Sequence, residues 1–278
     1  MKNILITGSS TGIGAATALH LDKQGMRVFA GVRDLTDGEE LRAAASPELR
    51  VLKLDVTDEV SIAAAITEVT DELGDEGLQG LVNNAGEAYP GPLEVVPLEQ
   101  LREQLEVNVI GPVAMTRAAL PLLRRSAGRV VFVGSVGGKG ASVFGGPYHA
   151  SKFAIEAIGD AWRQELEPEG ISVVIVEPGP ISTPIWSKGV QRIEALLAGA
   201  LPETERYRER LTNYRKTLIK ADEYGGSPQD VAQVIEKALT ESRPSTRYPV
   251  GATARLATVV KPLVPDRLYD AVSRRAVK

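Results

Sequence analysis

Short, continuous apolar runs constrain the fold of this chain most strongly. They recur along its first two thirds, at residues 4–6, 28–30, 51–54, 81–82, 130–133 and 173–176. A strand that is apolar throughout, rather than at alternate positions, is buried on both faces, as in a parallel sheet covered by helices. These runs therefore predict the strands of a buried parallel sheet.

Segments rich in helix formers separate the apolar runs. Their apolar residues recur at spacings of three and four, at 15–24, 39–45, 60–73, 98–123 and 153–167. This alternation predicts an α/β fold, in which a doubly wound Rossmann-type parallel sheet carries helices on both faces. We expect the whole chain, 1–278, to form one domain.

The alternation stops after residue 176. No strand pattern appears from Pro178 to about Tyr224, and apolar residues recur there at roughly helical spacing: Ile185, Trp186, Ile193, Leu196, Leu197, Leu201, Tyr207, Leu211, Tyr214 and Leu218. A long excursion beyond the carboxyl end of a strand is where α/β enzymes place substrate lids. We expect 185–224 to form a mobile helical lid, with ordinary packing on the core as the alternative.

The remainder of the chain predicts one more helix, one strand and an extension. The helix opens at Ser227-Pro228 and runs through Leu239, and a last strand follows at 247–251. The extension, 252–278, contains an apolar stretch that Pro262 and Pro265 interrupt. We expect it to pack on the lid or on a partner subunit, with contact to a membrane surface as the alternative.

Composition excludes several classes of site. The chain has no cysteine and two histidines, which excludes disulfides and thiolate metal sites and disfavours a histidine metal site. Its 32 basic and 36 acidic residues lack the basic excess of a nucleic-acid-binding protein. No run reaches the ~18 apolar residues of a membrane span, and the first apolar run is too short for a signal peptide. We expect a cytoplasmic protein that binds no metal.

A glycine-rich turn follows the first predicted strand. Gly8, Gly12 and Gly14 are spaced G-x-x-x-G-x-G and open the first predicted helix. Glycines allow a tight turn and a close approach of a phosphate to the free N–H groups of a helix N-terminus. The turn thus predicts a dinucleotide site, although a strand-to-helix connection alone also explains its glycines.

Three side chains suggest acid–base chemistry. Tyr148 and Lys152 are four residues apart, so they share one face of a helix, and Ser135 directly follows a predicted strand. A tyrosine hydroxyl has a pKa near 10 and catalyses poorly unless a neighbouring cation stabilises its anion. The alternatives are a solvated helix face and an ordinary turn serine.

Taken together, the motifs resemble the single-domain branch of the short-chain dehydrogenases/reductases over residues 1 to about 184. The motifs that occur in that family's order are the glycine turn, Asn83-Asn84-Ala85-Gly86, Asn108, Ser135, Tyr148-His149-Ala150-Ser151-Lys152 and Pro178-Gly179. The resemblance implies that Tyr148 is the general acid/base and that Ser135 binds the substrate oxygen. It also implies that Lys152 holds the nicotinamide ribose and lowers the pKa of Tyr148. Asn108 would support a water that relays protons to Lys152.

The resemblance also implies a set of cofactor-binding positions. They are Gly8, Ser10, Thr11, Gly12, Ile13 and Gly14 in the turn, Asp55 and Val56 at the adenine, Asn83, Ala85 and Gly86 beside the adenine ribose, Pro178, Gly179, Ile181 and Thr183 at the nicotinamide, and Tyr148 and Lys152. His149 is expected to point away from the site.

Residues at the end of the second strand bear on the choice of nicotinamide cofactor. NAD-selective enzymes carry an acid there, whereas this chain has Gly31 and Val32 followed by Arg33. Because a guanidinium matches a 2′-phosphate, NADP(H) is favoured, with Arg33 as its ligand. NAD(H) stays open, since Asp34 is adjacent and neither Ser10 nor Thr11 is basic.

Within the family, the chain looks most like the hydroxysteroid and retinol dehydrogenases. The sequences of 28–34 and 144–148 and the extended C-terminal part carry this likeness. It implies a bulky apolar ketone or secondary alcohol as substrate, such as a steroid or retinoid, and a homodimer or homotetramer. The alternatives are a 3-oxoacyl thioester reductase and a catalytically silent NADP-binding regulator, which the presence of Ser135, Tyr148 and Lys152 disfavours.

Overall fold

The apolar runs form strands of one parallel sheet in the computed structural model, which describes residues 1–199, 201–275 and 277. Seven strands in this described part follow the order β3-β2-β1-β4-β5-β6-β7. Their bounds are β1 Asn3–Ile6, β2 Arg27–Val32, β3 Leu49–Lys53, β4 Gly80–Asn83, β5 Arg129–Val133, β6 Ser172–Pro178 and β7 Arg247–Val250. The predicted doubly wound α/β fold is confirmed.

Helices connect the strands and cover both faces of the sheet. Their bounds are α1 Gly12–Lys23, α2 Glu39–Ala44, α3 Glu59–Leu73, α4 Leu98–Leu105, α5 Gly111–Ser126, α6 Gly146–Leu166, α7 Pro184–Ala198, α8 Pro202–Glu205, α9 Arg208–Glu223, α10 Pro228–Thr240, α11 Ala252–Val260 and α12 Asp266–Arg275. Within the described residues, none of these helices is long and apolar enough to cross a membrane.

The sheet separates two apolar layers. Along β1, Ile4 and Ile6 pack into the layer that contains α1 and α10, whereas Leu5 packs into the layer that contains α3 and α5. Each of these three side chains is fully buried. Both faces of the strand are therefore covered, which explains why its sequence shows no alternation of apolar and polar residues.

Two helices differ from the prediction. The segment predicted as one helix at 98–123 contains a π-helical turn, Glu106–Ile110, between α4 and α5. Such a turn inserts one extra residue into the helix. The apolar spacing changes so little that the sequence pattern does not reveal the turn. The helix predicted from residue 153 begins earlier, at Gly146, because Pro147 occupies its first turn, where proline needs no hydrogen-bonded N–H.

Helices α7 to α9 occupy the segment predicted as a lid. Ile193, Leu211 and Leu218 are buried together with Phe144, in a small apolar cluster of their own. Most of the apolar residues that suggested the lid thus pack against one another rather than facing a ligand.

The strand order reverses direction at the centre of the sheet. From β1 the chain moves outward through β2 and β3, and it then returns to place β4 on the other side of β1. At such a switch point the connections leave in opposite directions, which opens a crevice at the carboxyl ends of the strands.

Candidate active site

A cavity of about 950 Å³ opens at this crevice. It brings together most of the predicted site residues, which come from distant parts of the chain. Those that line it are Gly8, Ser10, Thr11, Gly12, Ile13, Arg33, Asp55, Val56, Ala85, Gly86, Asn108, Ser135, Tyr148, Lys152, Pro178, Gly179, Ile181 and Thr183.

The glycine turn lies against the loop that follows β4. Gly8 has a φ of +67°, and a Cβ there would come within 2.8 Å of the Ala85 Cα. Gly12 also has a positive φ, +57°. A side chain at either position would strain the turn, and at Gly8 it would also push the two loops apart.

Two predicted cofactor-binding residues lie outside the cavity lining of the described structure. Gly14 faces the turn itself, since a Cβ there would lie 2.1 Å from the Gly8 carbonyl oxygen. Asn83 is 3% exposed and donates a hydrogen bond to Thr116 Oγ1 at 2.9 Å. Both residues therefore pack behind the residues that line the cavity. Asn84 lines the cavity instead, and its side-chain amide donates to the Thr7 and Gly8 carbonyls.

Ser135, Tyr148 and Lys152 meet on one wall of the cavity. Burial raises the pKa of the Tyr148 hydroxyl, and a hydrogen bond with Ser135 opposes that rise without cancelling it. Lys152 Nζ donates to the Val133 carbonyl at 2.8 Å and lies 5.7 Å from the centre of the Tyr148 ring. That Lys152 lowers the pKa of Tyr148 stays a prediction.

Burial also shifts the pKa of Lys152. The side chain is 8% exposed, and desolvation lowers its pKa to about 8, although the negative charge of Glu156 opposes this effect. An ammonium group without full hydration releases its proton more readily. Lys152 can therefore change charge near neutral pH.

Asn108 lies in the π-helical turn and is 2% exposed. Its amide nitrogen donates to Glu87 O and to Ser151 Oγ, both at 3.0 Å, and its amide oxygen accepts from Glu87 N at 2.9 Å. Ser151 Oγ in turn donates to the Tyr148 carbonyl at 2.7 Å. The amide of Asn108 thus ties the loop after β4 to the helix that carries Tyr148.

His149 lies outside the lining of the cavity in the described structure. Its Nδ1 is 2.9 Å from Gly137 O, and its Nε2 is 2.9 Å from Ser142 Oγ. Both ring nitrogens are therefore engaged by the loop between β5 and α6.

Arg33 and Asp34 have different surroundings at the end of β2. Arg33 lines the cavity, and its side chain is 66% exposed. Asp34 is absent from the described lining and accepts hydrogen bonds from the Thr36 N–H and hydroxyl, which hold the pKa of its carboxyl below the ordinary value. It caps a short 3₁₀ turn, so its carboxylate is engaged in local structure.

Sequence reasoning missed a charged group in the cavity lining. Glu87, which directly follows Gly86, lies 2.9 Å from Lys188 Nζ and 3.0 Å from Arg192 Nη2. Burial acts to raise the pKa of Glu87, but Lys188 and Arg192 together hold it below the ordinary value. The four-residue spacing of Lys188 and Arg192 predicts that they share one helix face. No local sequence pattern could predict their pairing with Glu87, which lies about 100 residues earlier in the chain.

Helix α7 presents a mixed surface to the cavity. Ile185 and Trp186 contribute apolar area, whereas Lys188, Gln191 and Arg192 are polar or charged. The Trp186 indole N–H is anchored by the Ile181 carbonyl at 2.6 Å.

The family model described as short chain dehydrogenase matches residues 2–193. Retinol dehydrogenase 16 of Mus musculus is 39% identical over 280 residues, which cover 98% of this chain and 87% of that protein.

Two bacterial proteins match at nearly full length. The NADPH-dependent 3-dehydrocapnine reductase of Ornithobacterium rhinotracheale is 34% identical, over 100% of this chain and 98% of that protein. A solved short-chain dehydrogenase from Streptomyces avermitilis superposes with a TM-score of 0.79 at 30% identity, covering 98% of this chain and 97% of that one.

Proposed function

The chain belongs to the short-chain dehydrogenase family and is an oxidoreductase. We propose that it transfers a hydride between NADP(H) and the carbonyl or alcohol carbon of a bulky apolar substrate. The observation that carries the proposal is the meeting of Ser135, Tyr148 and Lys152 in the cavity that the glycine turn also lines.

The residues of the turn suit a dinucleotide. Helix α1 begins at this turn without a side-chain hydrogen bond at Thr11 and without an acidic residue in its first turn, in the part of the chain that the structure describes. Its first N–H groups and its dipole therefore favour an anion such as a pyrophosphate. When bound, the nicotinamide would supply or accept the hydride.

The proton chemistry belongs to the chain itself. Because burial raises the pKa of Tyr148, its hydroxyl stays protonated at neutral pH and can donate to the oxygen of a carbonyl substrate. Ser135 would donate a second hydrogen bond to the same oxygen, where negative charge develops. Lys152 would hold the nicotinamide ribose, and Asn108 would keep the loops beside Tyr148 in place.

The preference for NADP(H) over NAD(H) rests on Arg33. It lines the cavity, whereas Asp34 is engaged in capping a turn. The relative named as NADPH-dependent supports the same preference.

An apolar substrate is supported by the side chains near the predicted nicotinamide position. Ile181, Ile185 and Trp186 line this part of the cavity, and a relative is named for its action on retinol. We also propose a homodimer or homotetramer, which light scattering on the purified protein would test.

Substituting Tyr148 by Phe tests the assignment. Loss of the proton donor should lower turnover by about 10²–10⁴-fold, while the ring still packs and NADPH binds nearly as before. Oxidation of NADPH with a panel of small, steroidal and retinoid ketones would be followed by the absorbance of the reduced nicotinamide. Turnover of Tyr148→Phe within a few-fold of the unmodified enzyme would contradict the proposal.

A further inference from the structure

Glu87 connects two parts of the cavity wall. The residue is 8% exposed and lines the cavity directly after the loop Asn84-Ala85-Gly86. Its Oε1 accepts from Lys188 Nζ at 2.9 Å, and its Oε2 accepts from Arg192 Nη2 at 3.0 Å. Both cations belong to α7, so one buried carboxylate joins the lid to the body of the enzyme.

Arg192 strengthens this connection at a second point. Its guanidinium also donates to the Ala88 carbonyl and lies 3.8 Å from the centre of the Tyr89 ring. The Tyr89 hydroxyl is held in turn by Glu103 at 2.7 Å. The side chain of Arg192 is 22% exposed, so these contacts are partly shielded from water. Ion pairs that are shielded from water are stronger than ion pairs at the surface.

The backbone of Glu87 is fixed independently of its side chain. Its N–H and carbonyl both pair with the Asn108 amide, and Gln104 Nε2 donates to the same carbonyl at 2.6 Å. Removing the charge of Glu87 would therefore loosen the attachment of α7 without removing the bonds that hold Asn108 beside the helix of Tyr148.

We propose that Glu87 is a positioning residue, which fastens α7 across the cofactor cavity and thereby sets how fast the nicotinamide cofactor leaves. The proposal rests on the proposed function for its ligand. It assigns Glu87 no part in the transfer of the hydride or the proton, because its carboxylate engages the lid cations.

Glu87→Gln tests this role, and Glu94→Gln is the matched control. Glu94 also joins the lid to the body, through the Tyr207 hydroxyl at 2.6 Å and Arg206 at 3.5 Å, but it lies outside the cavity lining of the described structure. Hydrogen exchange of 184–198 in the protein without cofactor should be faster in Glu87→Gln and unchanged in Glu94→Gln. Unchanged exchange in Glu87→Gln would overturn the proposal.

Cofactor release gives the second measurement. Stopped-flow displacement of bound NADPH should show release about ten- to a hundredfold faster in Glu87→Gln, because the lid loses a partly buried charge partner. The single-turnover rate of hydride transfer should change far less than the rate of cofactor release. A parallel fall in hydride transfer would show a general disturbance of the site and would overturn the proposal.

Comparing NADPH with NADH distinguishes an effect of Glu87 through the lid from an effect through Arg33 on the 2′-phosphate. Arg33 Nη2 lies 3.9 Å from Glu87 Oε1, so Glu87 could act through Arg33 instead. Release of NADH should accelerate as much as that of NADPH if the lid is responsible, whereas an effect on NADPH alone would overturn the proposal. If Glu87→Gln does not fold, Lys188→Met combined with Arg192→Met removes the links to Glu87 from α7, together with the contacts of Arg192 with Ala88 and Tyr89. Unchanged exchange in that variant would likewise overturn the proposal.

The outcomes also separate this proposal from the proposed function. A protein that binds neither NADPH nor NADH contradicts the proposed function, and with it the role in cofactor release. If the cofactor binds but Tyr148→Phe stays active, only the chemical assignment fails, and the exchange and release measurements still decide the role of Glu87.

Discussion

We expect Arg33 to discriminate between the two nicotinamide cofactors. Its guanidinium is exposed in the cavity, where it can pair with a 2′-phosphate in a charge-assisted contact. Arg33→Ala should raise the KM for NADPH by roughly ten- to a hundredfold, about 1.4–2.8 kcal/mol, and should barely change the KM for NADH. Steady-state kinetics with both cofactors would measure this, with Arg50→Ala, at an ion pair outside the cavity, as control. Equal losses with both cofactors would show that Arg33 does not contact the 2′-phosphate.

Glu156 should tune the pH dependence of turnover. It follows Lys152 by one helical turn, and its negative charge raises the Lys152 pKa against the lowering by burial. If the ammonium form is required, activity falls as the pH rises through the Lys152 pKa, which is about 8. Glu156→Gln removes the charge that favours the ammonium, so the alkaline limb should move to lower pH.

Asp160→Asn is the control for that pH profile. Asp160 lies one turn further along the same helix and also pairs with Arg247, the partner of Glu156. The charge that opposes the lowering of the Lys152 pKa is that of Glu156. The profile should stay in place for Asp160→Asn. If the alkaline limb does not move in Glu156→Gln, the fall in activity at high pH does not arise from deprotonation of Lys152.

The family resemblance was sufficient to predict that Ser135, Tyr148 and Lys152 belong to one site, and all three line the cavity. Local spacing alone placed Tyr148 and Lys152 on one helix face and Ser135 after a strand, and it left ordinary structural roles open for each of them. Glu87 was not predictable in this way. Its partners lie on a segment without regular alternation, and only the tertiary arrangement of α7 brings opposite charges to one point.

At the scale of elements, the glycine turn and α1 fit together through Gly14. A Cβ at this position would also come 2.5 Å from Asn84 Nδ2, in addition to its clash with Gly8 O. Gly14→Ala should destabilise the fold by about 1–3 kcal/mol, as overpacked sites do, and weaken cofactor binding because the turn must shift. Urea unfolding and NADPH titration would measure both effects. Gly199→Ala, whose Cβ would meet its nearest atom at an ordinary 3.4 Å, should change neither, and equal behaviour of the two variants would contradict the packing argument.

Helices α7 to α9 show the limit of apolar spacing as a guide. The spacing predicted helices correctly, but it could not say that Ile193, Leu211 and Leu218 would face one another. A helix reveals from its sequence which face is apolar, not which partner covers that face. The surface that α7 turns to the cavity was therefore predicted as more apolar than it is.

At the scale of the molecule, cofactor binding should stabilise the fold. The cavity draws residues from both halves of the sheet, and a ligand that binds only the native state adds about 2.7 kcal/mol at a hundred times its Kd. NADPH should therefore raise the Tm measured by differential scanning calorimetry. Tyr148→Phe should show nearly the same rise, since it changes catalysis rather than binding. Absence of any rise with either cofactor at saturating concentration would contradict a nucleotide site.

The strand order has a consequence for synthesis on the ribosome. Strand β1 is made first, yet it lies between β2 and β4, and β4 begins only at Gly80. Until that strand has emerged, one edge of β1, which carries the apolar residues Ile4, Leu5 and Ile6, has no partner, and unpaired strand edges are prone to aggregate. We therefore expect the nascent chain to be prone to aggregate in the interval between the emergence of β1 and of β4.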